Sequence, residues 1–402
     1  MFFRALLAMF MFVCVLHAQE SHRYLVRLSP GVEKSDLLQK GVNTTFAYKS
    51  SIEHASFFNE FLYLEVSDTA VLVEMMASGD LLYWESPRKR TLQFEPSDSH
   101  FAQQWHLDKI QAASAWDIAK GDSSFVLGIV DSGVDYTHED LRDNLAYNHD
   151  DPLNGLDDDG DGYIDNYYGW DFGSDDWNPM IEEVSEHGSV IAGVASATTD
   201  NELGSTSPAF HCRYLPVKVT DSSGQIRHTN EAILYAAEMG AQVINCSFGS
   251  PEYRQSEADV IQYVTNVMDV LVVASAGNGG ADALFYPAAL DLVLGVGATD
   301  EYDQKIAISN YGSSVNIMAP GMAIYGPNTG NQYRYSNGTS VSSAIVSSSA
   351  VLLRSHYPNE TAFQIRRRLQ DSADDIDAYN LQYKGLLGAG RLNLVKALLY
   401  TS

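Results

Sequence analysis

From about residue 120 onward, apolar residues fall into two kinds of run. Residues 125–130, 213–219, 242–246, 270–274 and 292–296 are short and almost continuously apolar. That pattern predicts strands buried on both faces. Between them, 187–197, 229–239 and 256–268 carry helical periodicity. Residues 341–353 form a small-residue, apolar run of helical length, and 392–399 another helix. Strands alternating with helices predict an α/β domain, a parallel sheet between two helical layers.

The first hundred residues follow a different rhythm. Residues 24–28 alternate like a strand, 32–40 read as a helix, and 61–66 as a second strand. Ser67 and Asp68 are placed to cap a helix over 69–77, and 81–84 closes with a strand. This predicts a small α+β module of the ferredoxin-like kind over residues 22–93. The polar stretch from Ser86 to His100, with Arg88-Lys89-Arg90 inside it, predicts an exposed linker. The larger domain is therefore expected at 101–402. Residues 1–18 have Arg4 followed by an apolar run over 5–16 that is too short to span a bilayer. They predict a secretory signal peptide cut after Ala18.

Composition narrows the partners. The chain of 402 residues carries a formal net charge of −27, which argues against nucleic acid as a ligand. It leaves many carboxylates for cations. Of the three cysteines, Cys14 would leave with the signal, and Cys212 and Cys246 are expected as buried free thiols. The expected protein is a monomer, secreted or periplasmic, with no membrane association once the signal is gone.

Four residues stand where chemistry gathers in such a sheet. Asp131 ends the first strand of the large domain, His187 opens a helix, Asn278 follows a strand in Ala276-Gly277-Asn278, and Ser340 precedes the buried helix in Asn337-Gly338-Thr339-Ser340. Each alone has an ordinary reading: a turn Asp, a surface His, a turn Asn, a helix cap. Together they would all lie at the carboxyl edge of one parallel sheet. With Val130-Asp131-Ser132-Gly133-Val134-Asp135, His187-Gly188-Ser189, Val243 to Gly249, Tyr286-Pro287-Ala288-Ala289 and Ala319-Pro320-Gly321, residues 101–400 resemble the subtilisin family of serine peptidases.

The resemblance implies roles. Ser340 corresponds to the nucleophile, His187 to its base, Asp131 to the carboxylate that orients the imidazole, and Asn278 to an oxyanion donor beside the Ser340 N–H. These are the family's known roles. Ser247-Phe248-Gly249 and Ala276-Gly277 correspond to the two edges that pair with an extended polypeptide substrate. Residues 22–93 correspond to an inhibitory propeptide, cut somewhere between Arg88 and Asp98. The chain departs from the family at Val190, Val341, Ala344 and Val346-Ser347-Ser348, none of which removes a catalytic group. Phe285 beside Tyr286-Pro287 is placed to shorten the pocket for the side chain before the cut bond.

Asp157-Asp158-Asp159-Gly160-Asp161-Gly162-Tyr163-Ile164-Asp165 has oxygen ligands at the spacing of an EF-hand-type loop. Asp157, Asp159, Asp161, the Tyr163 carbonyl and Asp165 are the expected Ca2+ ligands, with Ile164 as an apolar anchor. Position twelve is Tyr168, so a further carboxylate would come from Asp171 or from Asp150-Asp151. Asp140 and Asn201, by the resemblance, mark a second calcium site. Two other functions stay open: a non-catalytic peptide-binding protein on the same scaffold, and an acid-acting relative with Glu in place of His.

Overall fold

The computed structural model describes residues 22–39, 43–46, 60–86, 94–182 and 185–401. The proposed signal segment and the basic Arg88-Lys89-Arg90 run lie outside them. The chain divides into two compact units, 1–92 and 93–402.

The first unit orders as β1 (His22–Leu28), α1 (Lys34–Gln39), β2 (Asn43–Phe46), β3 (Phe61–Val66), α2 (Ala70–Ala77) and β4 (Leu81–Glu85). Its sheet runs β2-β3-β1-β4, with the three described pairings antiparallel. Four strands and two helices in this order form the ferredoxin-like motif. The alternating residues Val26, Leu28, Leu62 and Leu64 point to one face and close on Leu72 and Met75 of α2. The short strand β2 has no apolar alternation in Asn43-Thr44-Thr45-Phe46, which is why it escapes a reading by pattern.

In the second unit, α3 (Trp105–Lys109) and α4 (Ala112–Trp116) precede β5 (Val126–Asp131). Then follow β6 (Trp170–Asp171), α5 (His187–Ser196), β7 (Arg213–Lys218), α6 (Thr229–Glu238), β8 (Ala241–Cys246), α7 (Gln255–Asn266), β9 (Leu271–Ser275), β10 (Leu294–Thr299) and β11 (Ile317–Pro320). The hairpin β12 (Ile324–Pro327) and β13 (Tyr333–Ser336) leads into α8 (Thr339–His356), α9 (Ala362–Asp371) and α10 (Leu394–Leu399). The sheet has seven strands in the order β11-β10-β9-β8-β5-β7-β6, parallel at every junction. Helices α5 and α8 cover one face with one apolar core. Helix α6 and the apolar stripe of α7 (Ile261, Val264) cover the other.

The two inner helices are built from small residues because they are enclosed on all sides. In α5 every residue after His187 is buried. In α8 the buried serines all find acceptors: Ser343 and Ser347 on Asn245 Oδ1, Ser348 on the Ala195 carbonyl, Ser342 on the Pro320 carbonyl, and Ser349 on the Ile345 carbonyl. A buried hydroxyl without a partner would cost about 1–3 kcal/mol. Those partners explain how Ser347 and Ser348 fit where the family has Ala and Gly.

The body of the second unit reaches back further than the expected start at 101. Phe94 packs edge-on against Trp116 and at a tilt against Phe210, and Asp98 is buried. The polar residues from 94 to 100 are thus part of the domain and not an exposed linker.

Candidate active site

Asp131 ends β5, beside its register partner Lys218 on β7. Its Oδ1 accepts from His187 Nδ1 at 2.7 Å and from the Ser132 N–H at 2.7 Å. Since a carboxylate only accepts, Nδ1 carries the proton and Nε2 is left as the basic nitrogen. The negative charge of Asp131 raises the basicity of His187 against the opposing pull of burial, and Arg334 works weakly the other way. The first turn of α5 is tied to the loop after β5. The Gly188 N–H donates to Ser132 Oγ at 2.9 Å, and the Asp135 N–H donates to Ser189 Oγ at 2.8 Å. A Cβ on Gly188 would lie 2.1 Å from the Gly133 carbonyl oxygen, so only glycine permits this approach.

Lys218 has a buried ammonium that donates to Asp171 at 2.8 Å and Glu182 at 2.7 Å. Burial depresses its basicity, but the two carboxylates outweigh that and hold it above the usual lysine range. Asp171 is therefore committed to Lys218 and to the N–H groups of Gly173 and Ser174. It is not available to the acidic loop.

Ser340 lies in the first turn of α8, after Gly338 with φ +132°. Its Oγ donates to the Ser247 carbonyl at 3.3 Å, and Ser247 Oγ donates back to the Ser340 carbonyl at 3.0 Å. The Ser340 hydroxyl is thus turned toward Ser247 and makes no hydrogen bond to the imidazole. Contacts of this kind commonly tighten only with substrate in place. His187, Ser340 and Asn278 nonetheless line one cavity of about 510 Å³.

Asn278 Oδ1 accepts from the Thr339 N–H at 2.9 Å and from Thr339 Oγ1 at 3.1 Å. That fixes the amide: the oxygen faces Thr339 and the NH₂ faces the cleft. Thr339 Oγ1 also accepts from the Gly277 N–H at 3.2 Å. The N–H of Ser340, in the first turn of α8, has no helical acceptor and is the natural second donor.

Ser247-Phe248-Gly249 continues β8, and Ala276-Gly277 continues β9, so both reach the same carboxyl edge. Phe248 turns its ring to the core, leaving backbone at the edge. The Cβ directions of Gly249 and Gly277 converge on the Phe285 ring, which would meet them at 2.5 Å and 3.0 Å. Asn310, buried, braces this edge. Its Nδ2 donates to the Ala276 carbonyl at 2.8 Å, and its Oδ1 accepts from the Gly279 N–H at 3.0 Å. Neither Asn310 nor Asn245 was singled out by pattern, because a polar residue between apolar runs looks like any loop or strand-end residue.

In the acidic loop, carboxylate oxygens of Asp157, Asp159 and Asp161 lie within 4.8 Å of one another. Asp165 stands apart, accepting from the N–H groups of Asn154 at 2.7 Å and Gly155 at 2.8 Å. Ile164 is half exposed and anchors nothing. The anchor is Tyr163, whose ring packs edge-on against Trp170 and Tyr235. Asp151, buried, accepts from the Asp158 and Asn166 N–H groups and braces the loop from below.

Asp140 is fully buried and accepts from the Ser205 N–H at 2.8 Å and Asn201 Nδ2 at 3.4 Å. Burial pushes its carboxyl up to about 8. Asp98, unflagged in the sequence, stands near it. Its Oδ1 is buried without a partner among the described residues, and burial pushes its carboxyl up to about 6. Asp200, Glu202 and Gly204 in the adjoining loop all have positive φ.

The Subtilase family profile matches residues 122–390. The thermophilic serine proteinase of a Bacillus species (strain AK1) is 33% identical over 346 residues, 85% of this chain and 79% of that protein. Thermitase of Thermoactinomyces vulgaris is 34% identical over 310 residues, 76% of this chain and 100% of that protein. A solved structure of a protease from Pseudoalteromonas arctica shares the fold with a TM-score of 0.63 at 24% identity, covering 76% of this chain and 98% of that one. The chain belongs to the subtilase family and is a serine endopeptidase.

Proposed function

We propose that this peptidase works through Asp131, His187 and Ser340, with Asn278 and the Ser340 N–H as the oxyanion donors. The observation that carries the reading is the 2.7 Å Asp131–His187 bond on the rim that also presents Ser340 and Asn278. His187 Nε2 takes the Ser340 proton as Oγ attacks the scissile carbonyl, giving a tetrahedral oxyanion. The imidazolium, stabilised by Asp131, then protonates the amine nitrogen as the C–N bond breaks, and the amine departs, leaving the acyl-enzyme. Water repeats the sequence in the second half. The oxyanion meets Asn278 Nδ2, a donor already oriented by Thr339 and so needing no rearrangement. A peptide adding as a strand between Ser247–Gly249 and Ala276–Gly277 gains affinity from backbone pairing, with loose sequence demands.

Calcium is the second part of the proposal. Asp157, Asp159 and Asp161 offer a convergent set of hard oxygens. Asp98 and Asp140, with Asn201, offer another: two buried carboxylates, one with an orphaned oxygen. A bound cation would neutralise both and offset the strain of the left-handed loop residues. The third part is maturation. The described residues of the first unit have a core of their own, which suits residues 22–93 to the part of an inhibitory propeptide for a slowly folding parallel sheet. The terminal segment 1–18 directs export. Among the described residues no helix is long and apolar enough to cross a membrane.

Ser340→Ala tests the reading. The variant is expected to lose casein hydrolysis and to leave residues 22–93 attached. A variant that still matures alone and digests casein would sink it.

A further inference from the structure

The cavity beside Ser340 is lined by His187, Asn278, Val190, Val341, Glu186 and Arg334, among others, but by none of the strand-pairing residues at 247–249 or 276–277. If the acyl half of the substrate pairs with those segments, the cavity receives the other half, the side that leaves as an amine. That step rests on the reading proposed above.

Arg334 is a cation in this cavity, in a chain of net charge −27. It is carried on β13, paired opposite Gly326 of β12. The hairpin turn is pinned to the loop after β5. The Gly330 N–H donates to Asp135 Oδ2 at 2.8 Å, and the Glu139 N–H donates to Asn331 Oδ1 at 2.8 Å. The guanidinium donates from one nitrogen, Nη1, to Glu186 Oε2 at 2.7 Å. Glu186 also accepts from Asn328 Nδ2 at 3.3 Å and Thr329 Oγ1 at 3.4 Å, so it is held from two sides. The donors on Nε and Nη2 make no hydrogen bond among the described residues and stay available. A guanidinium presents its donors as a planar fork suited to a carboxylate.

We propose that Arg334 reads a carboxylate on the leaving side of the scissile bond, and that Glu186 tempers that preference. The carboxylate belongs to an acidic residue after the cut bond, or to the free C-terminus of a short product. Arg334 is half exposed, so the effect is modest, about three-fold in kcat/KM.

The test uses the matured enzyme and quenched-fluorescence peptides identical up to the cut bond. Beyond it they carry Glu, Gln or Lys at the first or second position, each ending as an amide or a free acid. The wild type is expected to favour Glu over Gln by about three-fold and Gln over Lys. Arg334→Ala should bring the Glu-to-Gln ratio to about one, whereas Glu186→Gln should raise it above the wild-type value. A preference that follows the free acid and not the Glu side chain assigns the site to C-terminal carboxylates. If Glu186 and Arg334 serve only to brace the hairpin, both variants lose rate equally on all peptides and the ratios do not move, which overturns the proposal. If no peptide is cut by the wild type, it is the catalytic reading that fails.

Discussion

Asn278 does two things with one side chain, and the two can be separated. Its oxygen holds Thr339 through the N–H at 2.9 Å and Oγ1 at 3.1 Å, while its NH₂ is offered to the cleft. Asn278→Asp keeps an acceptor for Thr339 but removes the cleft donor and puts a negative charge where the oxyanion forms. Asn278→Ala removes both functions. Thr339 is fully buried, so Ala strands its N–H at a cost of about 1–3 kcal/mol. Both variants should lose about 10²–10³ in kcat, the scale already known for loss of the equivalent donor in a subtilisin, with KM little changed. Only Ala should also lower the melting temperature. Steady-state kinetics on a small peptide ester, together with calorimetry of a propeptide-free preparation, reads both quantities. An unchanged kcat in either variant, or a loss confined to KM, refutes the oxyanion assignment. Equal destabilisation by Asp and Ala refutes the role of the oxygen in holding Thr339.

Three further outcomes follow from the same geometry. His187 must be neutral to act as base, and the Asp131 charge raises its pKa, so activity should climb with pH through that value. Asp131→Asn should move the climb to lower pH while cutting kcat by roughly 10⁴, and a pH–rate profile with an unmoved acidic limb would exclude the pair. EDTA should lower the melting temperature by several degrees, since an ion at a hundred times its Kd contributes about 2.7 kcal/mol. Asp140→Asn, and separately Asp157→Asn, should blunt that response, and identical melting curves with and without chelator would remove both calcium sites. Phe285 fills the space that Gly249 and Gly277 face, so small residues before the cut bond should be preferred. Phe285→Ala should improve kcat/KM for Leu or Phe there by about ten-fold, and a wild type already favouring Phe over Ala would show that the ring swings clear.

The strands and helices that carry Asp131, His187, Asn278 and Ser340 were legible because each holds a nearly continuous buried run, apolar in the strands and of small and apolar residues in the helices. Their observed bounds lie within a few residues of the pattern: β5 at Val126–Asp131, α5 at His187–Ser196, β9 at Leu271–Ser275. Cys212 and Cys246 are buried and free, as their apolar surroundings suggested. What escaped was short or polar. Strand β6 has only two residues and β11 ends in a proline, so neither offers a period to detect. In the hairpin carrying Arg334, β12 is mostly buried and β13 is partly exposed, and neither alternates cleanly. Asp98 was hidden in a stretch whose polarity looked like a linker, because its burial comes from partners far along the chain, such as the Asp200 N–H that donates to it at 2.7 Å. Ile164 looked like a loop anchor and Tyr163 a mere carbonyl donor. The aromatic cluster that reverses those roles is contributed by Trp170 and Tyr235, and only the fold gathers it.

The most direct test of the central claim is to treat the matured protein with a fluorophosphonate and locate the adduct by peptide mass spectrometry. The account predicts one stoichiometric adduct, on Ser340, with hydrolysis lost in proportion and protection by a peptide aldehyde. Undiminished peptidase activity with Ser340 unmodified, or an adduct on another serine that tracks the loss, would contradict it.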